Sequence, residues 1–115
     1  MSDRTILVVD QVVLKPGVAR EFVTAYLDEY APEAARRGLK LDQVTVTPPV
    51  WLEDASNTVT ATWSVQGARA WWQTMVAARY DPAPARWWTD MAPMIVERSR
   101  SMAADVGDVE GLCDV

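Results

Sequence analysis

Hydrophobic positions recur along this chain with two alternating periods, and the switches between them predict an order of elements. Thr5 to Leu14 reads TILVVDQVVL. Side chains alternate along a strand, so Ile6, Val8, Val12 and Leu14 share one face and Leu7, Val9 and Val13 the other. Both faces are apolar, which predicts a strand covered on both sides. Asp10 and Gln11 interrupt the run, one on each face, and Lys15-Pro16-Gly17 ends it. The period then changes. Val18, Phe22, Tyr26 and Tyr30 recur every four residues, with Val23 and Leu27 widening the stripe, which predicts a helix over 18–37 stopped by Gly38. Pro32 predicts a kink there, or a second short helix from Ala31.

Leu39 to Thr47 reads as a second strand, with Leu41, Val44 and Val46 in imperfect alternation and Pro48-Pro49 as its end. Glu53 to Asn57 is a turn by composition, and Asn57 is expected to serve that turn. Thr58 to Val65 alternates cleanly: Val59, Ala61, Trp63 and Val65 face one way, Thr58, Thr60, Thr62 and Ser64 the other. A helix follows from Ala68 to Arg79, with Trp71, Met75 and Ala78 in one row and Trp72, Val76 and Tyr80 in the next. Asp81-Pro82 caps and opens a shorter helix to Met91. Residues 95–104 suit a strand with polar alternation and also suit a helix. The strand is preferred, because Pro93 breaks what precedes it and the order then closes as βαββαβ. The domain is expected to span residues 1–104, with 105–115 as an acidic tail or an arm reaching a partner.

That order predicts an α+β fold, a ferredoxin-like antiparallel sheet with helices on one face. The helices can cover one side of the first strand, yet both sides are apolar. A large exposed apolar sheet face is rare on soluble monomers. The expected solution is a second sheet from a second copy of the chain, closing a barrel.

Composition narrows the function. A length of 115 residues suits one domain. The net charge of -5 argues against nucleic acid and against anionic membrane surfaces. The opening Met1-Ser2-Asp3-Arg4 runs straight into a strand-like segment too short to span a membrane, with no small-residue cleavage site, so cytoplasmic residence is expected. Cys113 is the single cysteine and there is no histidine. No zinc constellation and no serine–histidine or cysteine–histidine nucleophile can be assembled. No metal and no organic cofactor is expected, and proton transfer is left to Asp, Glu, Tyr, two lysines (Lys15, Lys40) or the substrate.

The run TILVVDQVVLKPG leading into EFVTAYLDEY, and NTVTATWSV leading into ARAWW, resemble the dimeric α+β barrel superfamily over roughly residues 5–104. That group includes antibiotic-biosynthesis monooxygenase-like proteins, polyketide cyclases and muconolactone-isomerase-like proteins. The resemblance implies a homodimer with a small-molecule cavity between sheet and helices. It carries no catalytic residue across, and the haem-ligating histidine of the haem-degrading branch is absent here.

Candidate chemistry begins with Asp10. In mid-strand within an apolar run it is either a buried acid or base, or a solvated or paired aspartate. Tyr26 is a second catalytic candidate, since Tyr26, Tyr30 and Tyr80 can each donate to an enolate. Thr60 and Thr62 belong to a hydroxyl row, joined by Gln43 and Thr45, that either orients a ligand or is a wet sheet face. Six tryptophans are available. Trp63, Trp72 and Trp87 are candidates for walls of an aromatic pocket, with core packing as the competing account. Arg86 is placed to hold a carboxylate or phenolate at the pocket mouth, against an exposed salt bridge. Two functions stay open: a cofactor-independent enzyme of monooxygenase, cyclase or isomerase type on an apolar cyclic or polyketide-like compound, and a non-catalytic dimeric module that binds an apolar or aromatic small molecule or a partner.

Overall fold

The first strand, β1 (Thr5–Leu14), forms with the expected bounds and takes the centre of the sheet in this computed structural model. The structure describes residues 4–113, without the side chains of Ala78, Leu112 and Cys113. The expected role of Ala78 in its helical row, the Cys113 thiol and the N-terminal residues 1–3 therefore lie outside the described residues. After β1 come α1 (Ala19–Ala25), a π-helical turn (Tyr26–Tyr30) and α2 (Ala31–Arg36) as one helical run, then β2 (Lys40–Thr47), β3 (Thr58–Gln66), α3 (Ala68–Tyr80), α4 (Ala83–Met91) and β4 (Ile95–Ala104). A short helix, α5 (Val109–Cys113), follows β4 after a 3-10 turn. The four strands pair antiparallel in the order β2-β3-β1-β4, with the helical layer on one face. This is the ferredoxin-like α+β arrangement.

Residues 95–104, which suit helix and strand equally by pattern, are a strand. Cross-strand pairing along β1 decides it: Val8 opposes Met102, Asp10 opposes Arg100 and Val12 opposes Arg98. The imperfect alternation of β2 has a local cause. Leu41 pairs with Trp63 but Gln43 pairs with Thr62, so Asp42 is an extra residue in a bulge. The bulge shifts the side-chain phase by one and turns Leu41, Val44 and Val46 to the same face.

The second short helix expected at Pro32 does begin at Ala31, as α2, and it runs on directly from the π turn. A sustained spacing of four overshoots the α-helical turn of about 3.6 residues, so Phe22, Tyr26, Tyr30 and Ala34 would drift off a common face. The π turn takes up that drift: the Ala31 N–H reaches back five residues to the Tyr26 carbonyl. All four side chains are buried. Proline, which has no N–H to donate, stands in the first turn after the π segment.

The core lies between the sheet and these helices. Val8, Val12 and Leu14 of β1 meet Val59, Ala61, Trp63 and Val65 of β3 beneath Phe22, Tyr26, Tyr30 and Trp88. The opposite sheet face carries no helix: Leu7, Val9 and Val13 are half-buried along its middle, flanked by Thr58, Thr60 and Thr62 on β3 and by the exposed Glu97, Ser99 and Ser101 on β4. The loop between β2 and β3 is held by Asn57, only 1 % exposed. Its Oδ1 accepts from the Leu52 N–H at 2.9 Å, and its Nδ2 donates to the Val50 carbonyl at 2.8 Å and the Pro48 carbonyl at 3.3 Å. Asn57 thus serves the turn, as expected. Among the described residues no helix is long and apolar enough to cross a membrane.

Candidate functional site

The register of β1 with β4 places Asp10 directly across from Arg100 on the helix-covered face. Asp10 is 2 % exposed. Arg100 Nε donates to Oδ1 at 2.6 Å and Nη2 to Oδ2 at 3.0 Å, a bidentate pairing. The Tyr26 hydroxyl donates to the same Oδ2 at 2.9 Å and accepts from Trp63 Nε1 at 2.7 Å. Arg100 Nη2 also donates to the Tyr30 hydroxyl at 2.6 Å. Five side chains from β1, the π turn, β3 and β4 therefore form one connected network under the helices.

Their electrostatics follow from this packing. Burial, and then the charge of Asp10, push the Tyr26 phenol far above the ordinary tyrosine range, although the Trp63 N–H pulls the other way. Burial opposes the charge on Arg100. The hydrogen bonds and charge of Asp10, with Tyr30 adding to them, outweigh it and hold the guanidinium above the usual arginine value. Tyr26 donates and accepts within the network. Tyr30 accepts from Arg100, and its own hydroxyl proton is not engaged by any of these partners.

Aromatic rings surround the network. Tyr30 lies 5.2 Å from Trp87 and 5.4 Å from Trp88, centroid to centroid, and Tyr26 lies 6.2 Å from Trp63. Arg98 caps the cluster from β4, with its guanidinium carbon 4.0 Å from the Trp88 ring centroid. Where the π turn meets α4, an open groove of about 220 Å³ is lined by Glu29, Tyr30, Glu33, Arg86, Trp87 and Asp90, among others. Trp87 Nε1 donates to Glu29 across it at 2.9 Å. Tyr30 is thus shared: its hydroxyl belongs to the buried network and its side chain lines the groove. Among the described residues no group of three histidine, cysteine, aspartate or glutamate side chains is placed to hold a metal ion.

Solved structures of several other proteins share this fold. A NIPSNAP-family protein of unknown function from Agrobacterium tumefaciens superposes with a TM-score of 0.68 at 10 % identity, over 90 % of this chain and 89 % of that one. An uncharacterized NIPSNAP-like domain protein from Burkholderia xenovorans gives 0.66 at 16 % identity, over 90 % and 87 %. An antibiotic biosynthesis monooxygenase-like protein from Caulobacter crescentus gives 0.60 at 18 % identity, over 90 % and 92 %. The resemblance read from the residues therefore holds at the level of the fold. No family model and no curated protein matches the sequence.

The residues singled out from sequence divide into three groups. Asp10, Tyr26 and Trp63 are brought together by direct hydrogen bonds, and Arg86 and Trp87 line the adjoining groove. Thr60 and Thr62 lie on the other side of the sheet, because β3 turns alternate side chains to opposite faces. Trp72 does not join the aromatic cluster: it stacks edge-on against Trp71 and is 61 % exposed on α3. Arg100 went unrecognised in the sequence. Its signal was a basic residue in phase with Met102 on a strand whose register opposes the lone acid of β1.

Replacing Asp10 with Asn leaves the Arg100 guanidinium without its anion, a loss of about 2 kcal/mol of folding free energy, since the carboxylate is buried but the guanidinium is partly reached by solvent. Adding Arg100→Met should recover most of that loss. Urea unfolding of both variants checks this, and an unaltered midpoint in Asp10→Asn refutes it. Tyr26 gives a pH dependence. Its folded-state pKa lies above the unfolded value of about 10, so its contribution is complete below pH ~10 and is lost as pH rises beyond it. Thermal melts should fall steeply above that pH, and Tyr26→Phe should make the fall shallower. Superimposable alkaline profiles would contradict this assignment.

Proposed function

We propose that this chain is a cofactor-independent small-molecule enzyme whose acid is Tyr30, acting on an apolar cyclic compound at the groove between the π turn and α4. The observation that carries the reading is the double membership of Tyr30, whose hydroxyl is hydrogen-bonded to the partly buried Arg100 guanidinium while its side chain lines an aromatic-walled groove. The Tyr30 hydroxyl accepts from Arg100, so its own proton is left to donate to an oxygen on which negative charge develops. Asp10 and Tyr26 then act through others: Asp10 orients Arg100, and Tyr26 fixes Asp10. Trp87 supplies the flat wall and Arg86 the charged rim.

The chemistry common to the monooxygenase, cyclase and isomerase types is formation of an enolate. A carboxylate of the groove, Glu29, Glu33 or Asp90, takes a proton from carbon beside a carbonyl, and the carbonyl oxygen accepts from Tyr30. The electron pair then returns to a different carbon with a proton, closes a ring on an internal carbonyl, or passes to dioxygen. The lack of histidine in the chain leaves such carboxylates and phenols as its proton-transfer groups. The groove volume of about 220 Å³ suits a one-ring substrate or one end of a larger polyketide-like one.

The proposal includes a homodimer. A second copy laid on the open sheet face would cover Leu7, Val9 and Val13 and would make the Thr60 and Thr62 row interior. Sedimentation at micromolar concentration should give the mass of two chains, and a monomer would count against this pairing. For catalysis, Tyr30→Phe removes the proton donor and leaves the ring. It should lower kcat on an identified substrate by roughly 100-fold, with KM little changed. Unchanged turnover would remove Tyr30 as the acid. A protein that binds aromatic ligands but turns none over would be the non-catalytic module instead.

A further inference from the structure

Two arginines border Tyr30, and only one of them is paired. Arg100 donates through Nε and Nη2 to Asp10 and through Nη2 to the Tyr30 hydroxyl. Arg37, at the end of α2, places its guanidinium carbon 5.8 Å from the centroid of the Tyr30 ring. Its Nε and Nη1 are shielded from solvent and meet no protein acceptor. A cation over an aromatic face gains some energy from the ring, but the N–H groups keep their unmet hydrogen bonds. Among the described residues no acidic side chain pairs these atoms. Glu33 on the same helix is taken by Arg36, and Glu29 accepts from Trp87.

A third donor without a partner stands on the neighbouring helix α3. Trp71 Nε1 on α3 is also shielded and unpaired. Trp71 stands one turn before Thr74, whose hydroxyl reaches the Arg37 carbonyl at 2.8 Å and so joins α3 to the end of α2. The two helices are close at this point: a Cβ at Gly38 would lie 3.2 Å from Thr74 Oγ1. Buried indole N–H groups usually have a partner, and buried guanidinium groups almost always do. A chain that satisfies Arg100 with two acceptor residues and leaves Arg37 with none has donors in reserve for something from outside.

We propose that Arg37, assisted by Trp71, binds the carboxylate of the ligand, so that the substrate class is an apolar ring bearing a carboxylate. This rests on the reading that a small molecule occupies the region around Tyr30. The carboxylate anchors the ligand at the α2–α3 seam, and its ring lies against the aromatic cluster. Arg37 and Trp71 are binding residues here and take no proton.

Calorimetric titration of the full chain with benzoate and with benzamide, its neutral isostere, at fixed ionic strength tests the assignment. Wild type should prefer benzoate by about tenfold or more. Arg37→Gln should abolish that preference, Arg37→Lys should keep part of it, and Trp71→Phe should reduce it without changing benzamide binding. Arg37→Gln should also melt at or above the wild-type temperature without ligand, since an unpaired buried charge is removed; a merely structural stacking role would lower it. Equal binding of the two probes, or a preference that survives Arg37→Gln, overturns the proposal. If Arg37→Gln does not fold, Trp71→Phe decides, and an undiminished preference there has the same force. Benzamide binding without a carboxylate preference defeats this inference alone, whereas failure of both probes to bind wild type also removes the small-molecule site around Tyr30.

Discussion

The Asp10–Arg100 pair joins β1 to β4 beneath the helical layer, and the placement of the surrounding aromatic residues depends on it. A carboxylate in the middle of an apolar strand is tolerated only if its charge and lone pairs are met. Here the answer comes from the strand directly opposite, in register, and not from a neighbour in sequence. The remaining acceptor capacity of Asp10 is used by Tyr26, which in turn accepts from Trp63. Shifting β4 by one residue would turn Arg100 to the other sheet face and strand the acid. The polar network therefore specifies strand register as well as linking four elements.

The helix above it is shaped to match. With regular α-helical turns, residues spaced by four rotate steadily away from the sheet. The π turn over Tyr26–Tyr30 holds two successive tyrosines inward, one over Asp10 and one over Arg100. π segments of this kind are often found at functional sites, where they aim side chains a regular helix would turn away. In this chain the consequence is specific. Tyr26 is consumed by the network, whereas Tyr30, one turn on, accepts from it and lines the groove beside Trp87.

The fold was legible in the sequence because its signals are local. Alternation in TILVVDQVVL and in NTVTATWSV, the stop at Gly38 and the Asp81-Pro82 start each follow from backbone geometry over a few residues. Asp81 Oδ1 does accept from the Ala83 N–H, at 2.9 Å, with the helix beginning one residue later than expected. The bulge at Asp42 was visible only as a flaw in alternation, because a bulge is defined by its partner strand. The site was legible in part. Asp10, Tyr26 and Trp63 stood out as a misplaced charge and two in-phase aromatics, but Arg100 is 90 residues away from Asp10 in the chain. Its relevance depends on register, which no local pattern contains. Thr60 and Thr62 share a strand with Trp63 and are for that reason on its opposite face. Trp72 sits beside Trp71 in sequence, yet a helix turns adjacent residues about 100° apart, so only one of the two can face the core.

These placements bear on where ligand chemistry belongs in the molecule. The threonine row offers hydroxyls but no charge. The helix-covered side offers a phenol held by a guanidinium, rings on several sides and donors that the protein itself leaves unmet. Polar groups buried without partners lower stability, so a fold that retains them at Arg37 while pairing Arg100 with Asp10 and Tyr30 is poorly explained by packing alone. Arg37 and Arg100 supply that contrast within one chain, one over the ring and one at the hydroxyl of the same tyrosine. Arg100 donates to the Tyr30 hydroxyl from a pair with Asp10, whereas Arg37 faces the Tyr30 ring with Nε and Nη1 that meet no acceptor among the described residues.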